Sequence, residues 1–182
     1  ISCNFIYSCT GYYRYDQGFT PDFPDADQFK GQVVHPQLWP EDLDYSGKRI
    51  VVIGSGATAI TLVPSLAKTA AHVTMLQRSP TYVLSRPDVD SVSQKLRRWF
   101  PEQFAYDLTR WKNVTAQAIL FQLSRRFPNY VKKLVRKVVH AWMGDDFDID
   151  THFNPSYNPW DQRLCLVPNG DLFRSLRKGT SS

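Results

Sequence analysis

Apolar positions along this 182-residue chain change rhythm several times, and the changes mark its parts. Residues 2–9 form a mostly apolar run ending at Thr10 and Gly11, which predicts a buried strand and then a tight turn. Residues 12–46 carry Tyr, Pro, Asp and Gly with little periodicity and read as a long ordered loop. The β-branched run Arg49-Ile-Val-Val-Ile53 predicts a central parallel strand. A helix over residues 57–69 and a second strand over residues 72–77 complete a βαβ unit. From Ser91 to Met143 the spacing turns helical. Pro101, after Trp99 and Phe100, stops the first helix; residues 106–127 suit a second. In the third, Val131, Leu134, Val135, Val138 and Trp142 recur at helical spacing, with Lys132, Lys133, Arg136 and Lys137 on other faces. A polar, aromatic stretch follows, residues 170–177 begin a short helix, and no further strand is expected after it. The pattern predicts an α/β fold: a Rossmann-type dinucleotide-binding domain with a helical insertion.

Composition narrows the class. At 42% hydrophobic and 21% charged residues the chain is ordinary globular material. The opening run is too short and polar for a transmembrane helix and lacks the basic start of a signal peptide. A strand-like start at Ile1, without methionine, suggests a chain cut from something longer. Cys3, Cys9 and Cys165 show no metal-ligand spacing; no metal site is expected, and they read as buried free thiols in a reducing cytoplasm. The net charge of +5 comes mainly from Lys95 to Lys137, which suits an acidic partner, an anionic membrane surface or a phosphorylated ligand.

The chemistry begins at Gly54-Ser-Gly56-Ala-Thr-Ala59, a G-x-G-x-x-A between strand and helix. Gly54 permits the sharp turn, Gly56 leaves room for a pyrophosphate, and Ala59 lets the helix pack closely on the strand. The N–H groups around Ser55, Ala57 and Thr58 at the helix start then face the phosphates. A residue at the end of the second strand chooses the nucleotide. An acid there would hold a ribose 2′-hydroxyl; Arg78 and Ser79 instead suit a 2′-phosphate, so the reading is NADPH. The bland alternatives are a ligand-free β–α turn and a surface arginine.

A second constellation is Phe29-Lys-Gly31-Gln-Val-Val-His35-Pro-Gln-Leu-Trp39-Pro40: two aromatic anchors, a glycine able to take a positive φ, one imidazole and a rigid end. Taken by itself, His35 is more simply structural. F-x-G-x-x-x-H-x-x-x-W-P, however, is the fingerprint of the type I Baeyer–Villiger flavin monooxygenases, and every specified position is filled. The resemblance extends over nearly the whole chain, through residues 35–44, 51–64, 74–82 and 157–173.

That resemblance implies FAD and NADPH as cofactors within a two-dinucleotide-domain flavoprotein, here incomplete. It implies insertion of one oxygen atom from O2 into ketones, or oxidation of sulfur and thioamide compounds, through a C4a-peroxyflavin. It divides the chain into the end of an FAD-binding domain (1–28), the fingerprint linker (29–46), the NADPH-binding βαβ unit (47–90), a helical insertion (91–155) and a return to the NADPH domain (156–182). Thr10 and Gly11 would end the last FAD-domain strand. His35 becomes a catalytic-support residue with Phe29, Gly31, Trp39 and Pro40 as its scaffold. Arg163 aligns with an arginine that sits by flavin and nicotinamide, an electrostatic role needing a permanent cation. Gln162 replaces the family's lysine, which places more of the 2′-phosphate contact on Arg78. Missing FAD and C-terminal segments imply that these residues alone bind little FAD and turn nothing over.

Alternatives remain. One is an N- or S-hydroxylating flavin monooxygenase, against which Trp39-Pro40 argues. Another is a non-catalytic remnant that binds only NADP or a membrane surface. A basic amphipathic helix over residues 130–142 also suits peripheral contact with anionic lipid, beside the core-facing reading of its apolar stripe. No recognised nucleic-acid module accompanies the charge, so no nucleic-acid partner is expected. The expected location is cytoplasmic, with membrane contact as the variant.

Overall fold

The computed structural model describes residues 2–11 and 14–182, in two compact units, residues 1–44 and 45–182. The strand reading at Ile1 and the loop reading at Tyr12 and Tyr13 fall outside the described residues.

In the first unit, residues 2–9 form no strand and are exposed, contrary to the expectation of a buried one. A strand is stable only when neighbours satisfy its backbone, and among the described residues no ladder pairs with this run. The described part of the remainder is loop, as expected, with 3-10 turns at Ala26–Gln28 and Pro36–Leu38. Cys3 and Cys9 are exposed rather than buried, and only Cys165 lies in the core.

The second unit opens with β1 (Arg49–Ile53), α1 (Ala57–Leu66) and β2 (His72–Leu76). β1 and β2 are parallel, with Arg49 opposite His72 and Ile53 opposite Leu76. α1 ends three residues earlier than expected: the N–H groups of Lys68 and Thr69 bond three residues back, so the end tightens into turns. No strand follows residues 170–177, as expected, but a single bridge lies on the other edge of β2, between Val73 and Ser181. Val73 donates to the Thr180 carbonyl, and Met75 donates to that of Ser182. Residues 180–182 thus run beside β2, which pairs with β1 on its other edge.

Two strands escaped prediction: β3 (Tyr82–Arg86) and β4 (Leu164–Pro168), which pair in parallel. Between them run α2 (Ser91–Trp99), α3 (Glu102–Arg126), α4 (Pro128–Met143) and α5 (Ile149–Phe153); α6 (Asp171–Arg177) follows β4. α3 starts at Glu102, four residues early, because Pro101 fits the residue just before a helix.

One core joins these parts. Ile60, Val63 and Leu66 of α1, Val73 of β2 and Val83 of β3 meet Val135 and Val139 of α4, Phe153 of α5 and Phe173 of α6. Each fully buried side chain of this kind contributes about 1.5–3 kcal/mol. The apolar stripe of α4 is thus spent on the core, through Val131, Val135, Val139 and Met143. What α4 leaves outside is basic, together with Tyr130 and Leu134. α2 and α3 contribute far less to the core, Ala105 and Ser124 being their only buried residues. Among the described residues no helix is long and apolar enough to cross a membrane.

Candidate nucleotide-binding site

The site is built where β1 meets α1. Gly54 takes φ 133°, a conformation nearly closed to other residues, and its N–H donates to the Leu76 carbonyl at 2.8 Å. The turn is thereby pinned to the end of β2. Gly56 precedes α1 in an extended conformation, and no side chain caps the helix. Its first-turn N–H groups, at Ala57, Thr58 and Ala59, have no partner within the helix, so they form the positive end of its dipole. Ala59 is buried, the close packing its small side chain was expected to allow.

Two further segments reach this turn. The Ser55 hydroxyl donates to the Ser79 carbonyl at 3.3 Å, which brings the loop carrying Arg78 beside the glycines. Arg78 and Ser79 are exposed, and Arg78 enters none of the ion pairs among the described residues. From the opposite end of the chain comes Arg163, immediately before β4. A Cβ placed on Gly56 would lie 2.8 Å from Arg163 Nη1, so the guanidinium rests on the bare face of this glycine. The resemblance implies a flavin-facing arginine; the structure sets Arg163 against the dinucleotide turn. Gln162 beside it is exposed.

Residues that sequence reasoning missed hold Arg163 there. The Tyr157 hydroxyl donates to the Arg163 carbonyl at 3.0 Å and lies 3.0 Å from the Thr81 hydroxyl. Tyr82 donates to the Tyr157 carbonyl at 2.7 Å, and the two rings meet edge to face at 5.3 Å. Burial, with the neighbouring Tyr157 and Asp161, pushes the Tyr82 phenol up to about 12. Burial likewise raises the Cys165 thiol, against a smaller opposing effect of Arg163. No periodicity or spacing links these tyrosines; only the resemblance touched Tyr82 and Tyr157, and it gave them no role.

The fingerprint residues belong to the first unit. The His35 ring lies on Gly18, leaving no room for a Cβ there, and its Nδ1 accepts the Gln37 N–H at 3.2 Å. The Gln37 side chain donates to the Arg14 and Tyr15 carbonyls, closing the loop on itself. Gly31 does not use a positive φ, contrary to expectation. Its lack of a side chain makes room for the Phe29 ring, whose Cζ a Cβ would meet. Trp39 and Pro40 follow the second 3-10 turn. Gly11 takes φ 70°, and the Tyr15 hydroxyl donates to the Thr10 carbonyl. Both are exposed.

Comparison with known proteins identifies the family and the fold. Residues 3–144 match the model of the flavin-binding monooxygenase-like family. The chain is 54% identical over 180 residues to the FAD-containing monooxygenase EthA of Mycobacterium tuberculosis (strain ATCC 25618 / H37Rv), covering 98% of this chain and 37% of that protein. It is 58% identical over 180 residues to the probable FAD-binding monooxygenase AlmA of Acinetobacter baylyi, with 98% and 36% covered. The chain thus spans little more than a third of these relatives' length. Among solved structures, an oxidized steroid monooxygenase bound to NADP superposes with TM-score 0.64 at 21% identity, over 91% of this chain and 38% of that one. Cyclohexanone monooxygenase from Rhodococcus sp. Phi1 bound to NADP+ gives TM-score 0.58 at 19% identity, over 90% and 37%. At such identities these two speak for the fold. Glycine turn, parallel βαβ unit and sequence likeness converge: the chain belongs to the flavin-binding monooxygenase-like family.

Proposed function

We propose that this chain supplies the NADP(H) site of a FAD-containing monooxygenase that inserts one oxygen atom of O2 into ketones or oxidises sulfur and thioamide compounds. The observation that carries the reading is the bare Gly56 at the start of α1, with a guanidinium laid on it and unpartnered N–H groups behind it. A pyrophosphate fits that chemistry, and the names of the relatives and of the NADP-bound neighbours agree with it.

In this reading the turn from Gly54 through Ser55, Gly56, Ala57 and Thr58 to Ala59 seats the pyrophosphate. Arg78 and Ser79 hold the 2′-phosphate, with Gln162 a neutral substitute for the family's lysine. Bound NADPH would supply hydride to the flavin. The chain's own task is to orient the nucleotide and, through Arg78, to prefer a phosphorylated ribose. Thr10 and Gly11 are exposed and outside any helix or strand, so no step is assigned to them. Residues 1–28 are proposed as the end of the FAD-binding domain and residues 29–46 as its linker, with Phe29, Gly31, Trp39 and Pro40 supporting His35. The helical insertion is proposed as residues 91–155, and the cytoplasm as the site of action; with the apolar stripe of α4 in the core, nothing favours lipid over solvent for its basic face.

The test is a thermal-shift titration with NADP⁺ and NAD⁺ on the purified protein and its Arg78→Ala variant. NADP⁺ should raise the melting temperature far more than NAD⁺, and the variant should lose that preference. A protein that melts cooperatively with no NADP⁺ shift overturns the reading. Product analysis with a simple ketone and a sulfide then decides the oxygenation chemistry.

A further inference from the structure

α3 is 25 residues long, yet its only buried residues are Ala105 and Ser124, and α2 buries none. Polar ties join the inner row of α3 to α2: Lys112 pairs with Asp90, and the Thr109 hydroxyl donates to that of Ser93 at 3.3 Å. The outer row is Phe104, Leu108, Trp111, Thr115, Ile119 and Gln122, spaced by three and four residues along one side of the helix. All six are exposed, Trp111 to 69% and Ile119 to 54%. No charge falls between Lys112 and Arg125, so this stretch runs uncharged for about three turns. Cations close both ends. Arg97, Arg98 and Trp99, itself 82% exposed, come before it, and Arg126, which continues the row, comes after. Residues 91–126 hold seven Lys and Arg against two acids, Glu102 and Asp107. Of these cations, Lys95, Arg97, Arg98, Arg110 and Arg126 enter no ion pair among the described residues.

We propose that the outer row of α3, with Trp99 at the end of α2, is a docking surface for an anionic phospholipid bilayer, on which α3 lies flat. The inference stands independently of the nucleotide reading. Exposed aromatic and alkyl groups flanked by cations suit an interfacial helix: the rings enter the acyl boundary while the guanidinium groups stay at the phosphates. Among the described residues no helix is long and apolar enough to cross, and cations at both ends hold this one in the plane. Charge decides between occupants. A second copy would press two positive faces together, and a dry protein cover would bury cations that have no partner. An anionic bilayer supplies the counter-charge and leaves the guanidinium groups hydrated. α4 adds charge without an insertion face, because its apolar stripe is spent on the core.

The test is flotation of the purified protein with vesicles of phosphatidylcholine alone or mixed with phosphatidylglycerol, with melting curves to verify that each variant folds. The mixed vesicles should bind at least about tenfold more tightly than the neutral ones. Trp111→Gln with Ile119→Gln, which keeps helix propensity, should weaken that binding by about tenfold, and Arg98→Gln with Arg110→Gln by a similar factor. Brominated acyl chains should quench the tryptophan fluorescence, and Trp99→Phe with Trp111→Phe should lose most of that quenching. Lys133→Gln with Lys137→Gln on α4 should cost less than either pair and leave the quenching unchanged. Three results would each overturn the proposal. One is a folded protein that ignores the mixed vesicles. A second is binding without quenching that the α4 pair weakens as much as the α3 pairs, which reduces it to surface charge. The third is self-association, abolished by Trp111→Gln with Ile119→Gln, in a protein that does not float.

Discussion

Gly54 and Gly56 stand two residues apart, and the structure gives them opposite failures when each is replaced by alanine. At Gly54 the obstacle is conformational. Its φ of 133° is hostile to any Cβ, although the added methyl would meet nothing nearer than Ala59 Cβ at 4.0 Å. Holding alanine there costs about 1–3 kcal/mol, offset by about 0.4–1 kcal/mol from the stiffer unfolded chain. The net destabilisation is about 1–2 kcal/mol, or a melting temperature roughly 2–8 °C lower for a chain of this size. At Gly56 the backbone, φ −81° and ψ −177°, suits alanine, and the clash is with the far end of the flexible Arg163 side chain. The guanidinium can swing away, so the melting temperature should stay within about 2 °C of the parent. What Gly56→Ala removes is the bare surface on which both the guanidinium and a pyrophosphate rest, and NADP⁺ affinity should fall by at least about tenfold. Melting curves with and without NADP⁺ on the two variants separate the effects. A Gly54→Ala protein that melts like the parent, or a Gly56→Ala protein that still binds NADP⁺ fully, would refute the reasoning.

Two pH predictions follow from groups whose titration the fold displaces. Asp90 caps α2, accepting the Val92 and Ser93 N–H groups, and pairs with Lys112 of α3; the Lys112 hydrogen bond is the largest cause holding its carboxyl at about 2. A depressed carboxylate stabilises the fold above its ordinary value of 3.8 and loses that contribution as pH falls toward about 2. Helical circular dichroism should therefore decline through that window, and Asp90→Asn should remove the dependence; an identical acid profile in the variant would contradict the assignment. Tyr82 shifts the other way. Its neutral form is favoured, so its contribution is complete below the ordinary 10.0 and is lost as pH rises through about 12. Phenolate absorbance should show a late-titrating tyrosine that disappears in Tyr82→Phe.

Legibility followed the range of the interactions. The glycine turn, β1, α1 and β2 were readable because each depends on residues within a few positions of itself. α4 was readable too, since Val131, Val135 and Val139 repeat its period, although Leu134 from the same predicted stripe lies half exposed. β3 and β4 were not. Each is a five-residue run at a proline, Pro87 after one and Pro168 at the end of the other, and each becomes a strand only by pairing with the other. Residues 2–9 show the reverse case. Their composition suits a strand, and without a partner ladder they have none of a strand's backbone bonds.

Arg163 was the hardest residue to read, for an electrostatic reason. Met as sequence, Asp161-Gln-Arg163 invites a local salt bridge, and a surface pair would be the ordinary outcome. The fold prevents it by spending Asp161 elsewhere: Arg125, near the end of α3, reaches the carboxylate, and Phe121 on the same helix meets the Trp160 ring beside it. A second tie from the same region runs to the strand end that precedes Arg78, where the Gln77 side chain donates to the His152 carbonyl of α5 at 3.0 Å. The helices between β3 and β4 therefore do more than fill a gap between strands. They occupy the carboxylate nearest to Arg163 in sequence and brace the strand end that precedes Arg78.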